Sequence, residues 1–328
     1  MPTTTLAQVA PGVQAFYDRN LLSRAQPNDV HGRFGQKRPI AMRSGNQIKF
    51  RRYSQLAAAT TALTEGVTPA GSSLAVTDIL STLAQYGDYI TLSDMVSMTN
   101  QDAVVTEATD VLGDQAGTTI DLTRRDVLVA GSNVAFGSGA ASRLATVNKL
   151  TAADLDKAIR FLKNQNAKYM KEGITPSDNV GTGAIRKAFI GIVHPDVEFD
   201  LEQIIGFRAV SDYGTQMGVI EDEIGAYKNI RFVTSTNARI FANATSVLTA
   251  GFKGGTTNDV YASLIIAAEA YGVSPLAGQA LTTYVKALGS AGSADPLEQR
   301  STVGWKATTV TTILNQSWLI RLENLATA

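Results

Sequence analysis

Apolar and small side chains recur at helical spacing over the stretch that follows Asp94. Ser93 and Asp94 are residue types that often cap the start of a helix. The recurring positions, which share one face of a helix, are Met98, Val105, Ala108, Leu112, Ala116 and Ile120. The pattern predicts a helix that runs on to Val129, with a break near Gly117.

A second helical pattern begins at Thr151. Residues 151–154 resemble a capping box in which Asp154 replaces the preferred Glu. The apolar positions that follow are Leu155, Ile159, Leu162 and Tyr169. Because Gly173 is followed by Pro176, this helix is predicted to end near Gly173.

Alternation of period two marks the chain before the first helix. Residues 47–53 alternate apolar and basic side chains, which predicts a strand with one exposed face. Residues 76–92 are rich in Thr, Ile, Leu, Tyr and Val and predict a second extended strand. We therefore expect a two-stranded hairpin over residues 46–92 with a broad tip. A lone hairpin is marginal in water, so this one needs a partner surface.

The remaining pattern is typical of a mixed α+β body. The apolar run 188–193 ends at His194 and Pro195, which predicts a buried strand followed by a helix over 196–205. We expect His194 to be a hydrogen-bonded structural histidine. Further strands are predicted at residues 229–234, 260–266, 281–288, 301–314 and 317–322.

Residues 1–45 are interrupted by prolines and glycines and predict an extended arm that cannot bury itself alone. A short helix is possible at 13–22. His31 lies in this arm beside Gly32, and we expect it to be solvated or at an interface.

The composition of the chain limits the classes of protein to which it can belong. The chain has 328 residues, more than one core usually spans, so two lobes are expected. Its net charge is zero, which argues against a free nucleic-acid-binding protein. Charged residues make up 18%, below the roughly 25% of ordinary domains, as suits a subunit that buries surface against neighbours. We find no signal peptide and no apolar run long enough for a membrane span.

The sequence offers little for catalysis. There is no cysteine, Walker motif or nucleophile elbow, and His31 and His194 are the only histidines. The run Glu221-Asp222-Glu223 could bind a divalent cation, but a solvated acidic turn is favoured. We therefore predict no catalytic residue, no cofactor and no metal site.

Four separated segments carry a resemblance to a known family. They are residues 63–66 (Leu-Thr-Glu-Gly), 85–87 (Gln-Tyr-Gly), 194–195 (His-Pro) and 295–306 (Asp-Pro-Leu-Glu-Gln-Arg-Ser-Thr-Val-Gly-Trp-Lys). In this order they resemble the major capsid proteins of tailed bacteriophages, which have the Hong Kong 97-type fold. The motif residues are Gly66, Tyr86, Gly87, His194, Pro195, Asp295, Pro296, Arg300 and Trp305.

The resemblance implies a division of the chain into segments. Residues 1–45 would be the N-terminal arm and 46–92 the extended E-loop hairpin. Residues 93–184 would hold the helices of the peripheral (P) domain, including a long spine helix. Residues 185–279 would form the axial (A) domain, a central sheet flanked by helices, and 280–328 would return to the P domain as long β-strands.

The resemblance also implies a function. The protein would be a non-enzymatic subunit that assembles with itself, as hexamers and pentamers, into an icosahedral phage head around double-stranded DNA. It would be assembled in the host cytoplasm with a separate scaffolding protein, a portal and possible decoration proteins, and would contact no membrane. The alternatives are a two-lobed α/β enzyme with a carboxylate site near Glu221, or another virion structural protein.

A charge asymmetry suggests where contacts lie. Nine basic residues and only Asp29 as an acid fall between Arg19 and Arg52. They would contact packaged DNA through phosphates, or acidic patches of neighbouring subunits such as 221–223 or 110–121, and we favour the subunits. The candidates for either role are Arg33, Lys37, Arg38, Arg43, Lys49, Arg51, Arg52, Glu65, Glu221 and Glu223.

Overall fold

The computed structural model describes residues 29–54, 56–99, 104–173, 185–213, 218–290 and 295–328, without the side chains of 97–99. The helix expected at 13–22 lies outside these residues. The α-helices are α1 (Asp94–Thr99), α2 (Val104–Val129), α3 (Ala152–Asn164) and α4 (Pro195–Glu202). The strands are β1 (Gln36–Lys37), β2 (Gln47–Tyr53), β3 (Val76–Thr82), β4 (Ala84–Ser93), β5 (Val134–Phe136), β6 (Phe189–Val193), β7 (Phe207–Ala209), β8 (Glu223–Tyr227), β9 (Ile230–Thr234), β10 (Ile240–Phe241), β11 (Val260–Ile266), β12 (Tyr271–Pro275), β13 (Thr282–Lys286), β14 (Arg300–Ile313) and β15 (Leu319–Asn324).

The long helix α2 lies on one face of a five-stranded sheet. The strand order is β1-β12-β14-β13, and β4 also pairs with β14. The buried stripe of α2 contains Leu112, Ala116 and Ile120, and it packs against Val303 and Trp305 of β14. The apolar spacing read from the sequence is therefore the face that holds helix and sheet together.

The predicted break near Gly117 is wrong, because α2 continues through it to Val129. Gly117 is buried on the face that also carries Ala116 and Ile120. A glycine inside a helix costs only about 1 kcal/mol relative to alanine. Burial of the apolar face against the sheet outweighs that cost.

A larger, eight-stranded sheet forms the second lobe. Its order is β5-β15-β11-β6-β9-β8-β7, with β10 paired to β11. In β6, Phe189 and Val193 join the core beneath α3 and α4, while Ile190 and Ile192 join the core on the opposite face. A strand buried on both faces has an uninterrupted apolar sequence, so the strand predicted at 188–193 is confirmed.

The predicted hairpin over 46–92 is shorter than expected. Strand β2 pairs with β3 from Gln47 opposite Thr82 to Tyr53 opposite Val76. The Leu83 amide then donates to the Asn46 carbonyl and closes the hairpin. Strand β4 pairs instead with β14, because its apolar side chains belong to the core under α2.

Helix α3 begins where predicted and ends earlier. The Thr151 hydroxyl accepts a hydrogen bond from the Asp154 amide, as a helix cap does. The helix ends at Asn164, and Asn166 has a left-handed φ of 51°. Asparagine tolerates that conformation, which stops a helix. Tyr169 thus lies beyond α3 and stacks on Phe189.

Four elements lie in a different lobe from the one predicted. Strand β5, within the segment expected to hold the P-domain helices, pairs with β15 in the eight-stranded sheet. Helix α3, expected in the P domain, packs on the eight-stranded sheet. Strand β15, expected among the return strands, pairs with β11 in that same sheet. Strand β12, expected in the A domain, pairs with β14. Sheet membership depends on long-range pairing, which a local pattern does not encode.

Among the helices in the described part of the chain, none is long and apolar enough to cross a membrane.

Candidate subunit-contact surfaces

The hairpin of β2 and β3 is fixed at its base and exposed beyond it. Phe50 is buried and lies against Gly272 of β12. Ser81 and Thr312 share a hydrogen bond of 2.5 Å between their hydroxyls. In contrast, every described residue from 51 to 78 is exposed. This part of the chain has a large surface available to a partner.

Asp78 neutralises part of the basic hairpin within the chain itself. It accepts from Arg51 at 2.9 Å and from Lys49 at 2.6 Å. These hydrogen bonds, from Arg51 first and then Lys49, lower the Asp78 pKa to about 2. Arg52 is exposed and has no ion-pair partner within the described ranges. Among the hairpin cations, it is thus the best placed to meet another subunit.

The basic residues of the arm also divide into those that form an ion pair within the chain and those that do not. Arg33 pairs with Glu221 at 3.3 Å and with Asp222 at 3.2 Å. Glu221, a candidate for contact with a neighbouring subunit, therefore forms an ion pair with the arm of its own chain. The side chains that stay exposed and form no ion pair with the rest of the described chain are Lys37, Arg38 and Arg43.

Glu223 is buried. The predictions that it belongs to a solvated acidic turn and that it contacts a neighbouring subunit are therefore wrong. Both of its oxygens accept from Arg231, at 2.7 and 2.6 Å. Tyr213 also donates to it at 2.8 Å. Burial, and then the Glu223 charge, raise the pKa of the Tyr213 phenol well above its usual value. These bonds occupy the carboxylate of Glu223 in a structural ion pair.

The postulated cation site near Glu221 finds no support in the geometry. Glu221 and Asp222 face Arg33, while Glu223 points to Arg231 in the interior. Across the residues that are described, no group of three or more His, Asp or Glu side chains is arranged to hold a metal ion.

His31 anchors the arm to α2, so the expectation of a solvated or interfacial histidine is wrong. Its backbone amide and its ring Nδ1 lie 2.7 and 2.9 Å from one oxygen of Asp121. Burial opposes ionisation of Asp121, but the bonds from His31 and from Asn237 hold its pKa below the usual value. The Tyr271 hydroxyl donates to the His31 carbonyl at 2.5 Å. The described part of the arm is therefore fixed to α2 at its first residues.

His194 caps helix α4, which confirms it as a structural, hydrogen-bonded histidine. Its Nδ1 accepts from the Asp196 amide at 3.1 Å, and Pro195 is the first helical residue. Burial lowers the His194 pKa, which keeps Nδ1 available as an acceptor. The Asp196 carboxylate in turn accepts from Lys253 and Tyr261.

Two of the motif segments meet in the five-stranded sheet. Residues 85–87 of β4 lie beside 306–308 of β14, with Gly87 opposite Lys306. A Cβ on Gly87 would lie 2.6 Å from the Trp305 carbonyl oxygen, so this contact requires glycine. Asp295 accepts from the Arg300 amide at 2.8 Å and, with Pro296, forms the turn before β14.

The third motif segment lies apart, at the tip of the hairpin. The Val67 amide donates to the Thr64 carbonyl and closes a four-residue turn. Gly66 has a φ of +75° at the third position, which is typical of a type II turn. The turn presents Glu65 to solvent, where it forms no ion pair with the described residues.

The sequence matches a protein-family model described as phage capsid protein over residues 75–321. This span is well over half of the chain, and the chain therefore belongs to the phage capsid protein family. No curated protein sequence is similar enough to count as a match.

Solved capsid structures share the fold. The capsid of Ralstonia phage GP4 is 12% identical, with a TM-score of 0.67 over 90% of this chain and 88% of that one. The head of Helicobacter pylori bacteriophage KHP40 is 14% identical, with a TM-score of 0.61 over 88% and 87%. The capsid of cyanophage Pam1 is 14% identical, with a TM-score of 0.61 over 94% of this chain and 93% of that one. These structures establish the Hong Kong 97-type fold. The family match supports a structural role.

Proposed function

We propose that copies of this chain assemble as hexamers and pentamers into the icosahedral head of a tailed phage, which encloses double-stranded DNA. The observation that carries the proposal is the hairpin of β2 and β3. Its described residues from 51 to 78 are all exposed although they include Leu56, Leu63, Val67 and Leu74. A neighbouring subunit would cover this apolar surface.

The physical properties of the chain suit such a lattice. Zero net charge leaves little long-range repulsion between copies. A standard protein interface buries roughly 1,600 Å². A subunit that touches several neighbours at once gains further from multivalency, so each individual contact can be modest.

The exposed cations of arm and hairpin would bind carboxylates of a neighbouring subunit. Two acidic patches were considered from the sequence, but Glu223 and Asp121 are buried and Glu221 is engaged by Arg33. Glu107, in the first turn of helix α2, is exposed and begins a stretch of the helix that has no basic residue before Arg124. We favour this pairing over contact with DNA for Arg52.

The remaining partners follow from the role. A scaffolding protein, a portal and decoration proteins would act with the shell, which forms in the bacterial cytoplasm and becomes part of the virion. Contact with packaged DNA on the inner face would be independent of sequence. The role needs no catalysis.

Light scattering on the gel-filtered protein, with negative-stain microscopy of the void fraction, tests the proposal. We expect isometric shells of megadalton mass, formed by the chain alone or with a co-expressed scaffolding protein. A stable monomer under both conditions contradicts the proposal.

Arg52→Glu is expected to lower the yield of shells by about tenfold, since a repelling charge recurs in every subunit contact. The far-UV circular dichroism of the monomer should not change, because Arg52 is exposed. Arg52→Lys, which keeps the charge, is the matched control. Arg51 is unsuitable, because its reversal would also repel Asp78. Normal shells from Arg52→Glu would exclude a role for this cation.

A further inference from the structure

A cavity of about 620 Å³ lies between the base of the β2–β3 hairpin and the lobe of the eight-stranded sheet. The hairpin contributes Phe50, Arg52 and Ile79 to its lining. The facing wall contains Gln165, which follows α3, and Trp318, which precedes β15. Sites for small molecules usually have volumes of roughly 300–1,000 Å³. The cavity is therefore large enough to hold an organic ligand.

Two arginines line this cavity from different elements of the fold. Phe50 of β2 lies on Gly272 of β12, and Arg52 is on the same face of β2 because strand side chains alternate. Gln36 of β1 lies opposite Gly272. Arg38 is two residues further along the chain, so it also faces the hairpin. Both guanidinium groups thus border the same space.

The positive charge of the lining is not balanced from within the chain. Arg38 and Arg52 form no ion pair with any residue whose structure is described. The carboxylate of Glu269 also borders the cavity, but Lys168 neutralises it at 3.0 Å. The cavity should therefore attract an anion. Since the planar guanidinium group matches the geometry of phosphate oxygens, two arginines favour a phosphate group.

Trp318 adds an aromatic wall to the cavity. Its side chain is only partly buried, and its indole Nε1 donates to the Gln165 carbonyl at 3.1 Å, which fixes the ring. Amide side chains also line the cavity at Gln36, Gln165 and Asn166. Aromatic rings stack on nucleobases of any kind, and amides can both donate and accept hydrogen bonds. Arginines, an aromatic ring and amides around one cavity suit a nucleotide.

We propose that this cavity binds a nucleotide, whose phosphates contact Arg38 and Arg52 and whose base stacks on Trp318. The inference goes beyond the proposed function, because a single copy of the chain supplies the whole site. Arg52 is also the cation proposed to meet a carboxylate of a neighbouring subunit. A bound nucleotide therefore competes with that contact and slows the assembly of shells.

Isothermal titration calorimetry of the gel-filtered monomer with ATP, in magnesium-free buffer of low ionic strength, tests the site. We expect a Kd below about 1 mM. Arg38→Gln should weaken binding by about tenfold or more, because it removes a charge-assisted hydrogen bond. Lys37→Gln is the matched control, since it removes the same charge one position away from a side chain that is exposed and does not line the cavity. Absence of binding, or an equal loss from both variants, overturns the proposal.

Inorganic tripolyphosphate distinguishes recognition of a nucleotide from attraction of any polyanion. ATP should bind about fivefold more tightly or better, because only ATP has a base that can stack on Trp318. Equal affinities overturn the assignment to nucleotides. Tryptophan fluorescence checks the position of the base, since the only other tryptophan, Trp305, is buried beneath α2. Binding of ATP without quenching would place the base away from Trp318 and contradict the proposed site.

Light scattering during assembly tests the competition. At about ten times its Kd, ATP should lower the initial rate of shell formation by about tenfold, because it occupies most monomers. The rate for Arg38→Gln should fall by only about twofold at the same concentration. An undiminished wild-type rate overturns the competition. If the wild-type chain forms no shells, the proposed function fails, whereas calorimetry on the monomer still decides whether the nucleotide site exists.

Discussion

Trp305→Ala is expected to reduce the free energy of unfolding by about 3–5 kcal/mol. Trp305 is 3% exposed and lies between α2 and the five-stranded sheet, so truncation leaves a cavity that the rigid helix cannot fill. Its indole Nε1 also donates to Gln115 at 3.1 Å. Urea denaturation of the monomer, followed by circular dichroism, measures the loss.

Two further variants sharpen this result. Tyr89→Ala removes an exposed aromatic ring from the neighbouring strand and should change stability by less than about 0.5 kcal/mol. Trp305→Phe keeps most of the packing but removes the donor to Gln115, at a cost of about 1–3 kcal/mol. A loss below about 1 kcal/mol for Trp305→Ala would mean that this core is not what joins α2 to the sheet.

Local pattern predicted the elements whose stabilising contacts repeat along the chain. The stripe from Val105 to Ile120 identified α2, and the apolar run at 188–193 identified β6. Thr151 marked the start of α3 because caps act within one turn. Helix α4 begins at Pro195, one residue before its predicted start, and ends at Glu202, before the predicted 205. The interruptions were less predictable. Gly117 has the sequence of a helix break but lies inside α2, whereas Leu83 has no turn residue beside it and separates β3 from β4.

The pairing of distant segments was not predictable. His31 and Asp121 are 90 positions apart, and nothing near either residue distinguishes a buried pair from two solvated side chains. The division of 185–328 between the two sheets failed for the same reason. Strands β12 and β15 are both compatible with either sheet by composition.

One missed pair did leave a signal. Arg231 lies within an otherwise apolar strand, 230–233, where a solvated arginine is out of place. Glu223 precedes it by eight positions, on the other arm of a hairpin. An isolated cation in an apolar run, with a carboxylate within hairpin reach, predicts a buried ion pair better than it predicts an acidic surface turn.

Arg231→Met is expected to destabilise the protein by about 3–5 kcal/mol, because it leaves the Glu223 carboxylate buried without its cation. The side chains of Arg231 and Glu223 are 1% and 0% exposed, so water cannot replace the lost partner. Tyr213 and the Ile220 amide would remain as donors, which is not enough to balance a full charge. Urea denaturation of the monomer measures the effect.

The double variant Glu223→Met with Arg231→Met separates the cost of an unpaired charge from the value of the pair. Replacement of both partners by apolar side chains is often close to neutral. We therefore expect the double variant to recover much of the loss, with a remainder from the unpaired Tyr213 hydroxyl. If the double variant is as unstable as Arg231→Met, the hydrogen bonds of Glu223 to Tyr213 and Ile220 matter more than its charge. Lys228→Met is the matched control, since Lys228 pairs with Asp156 at an exposed site and its loss should cost less than about 1 kcal/mol.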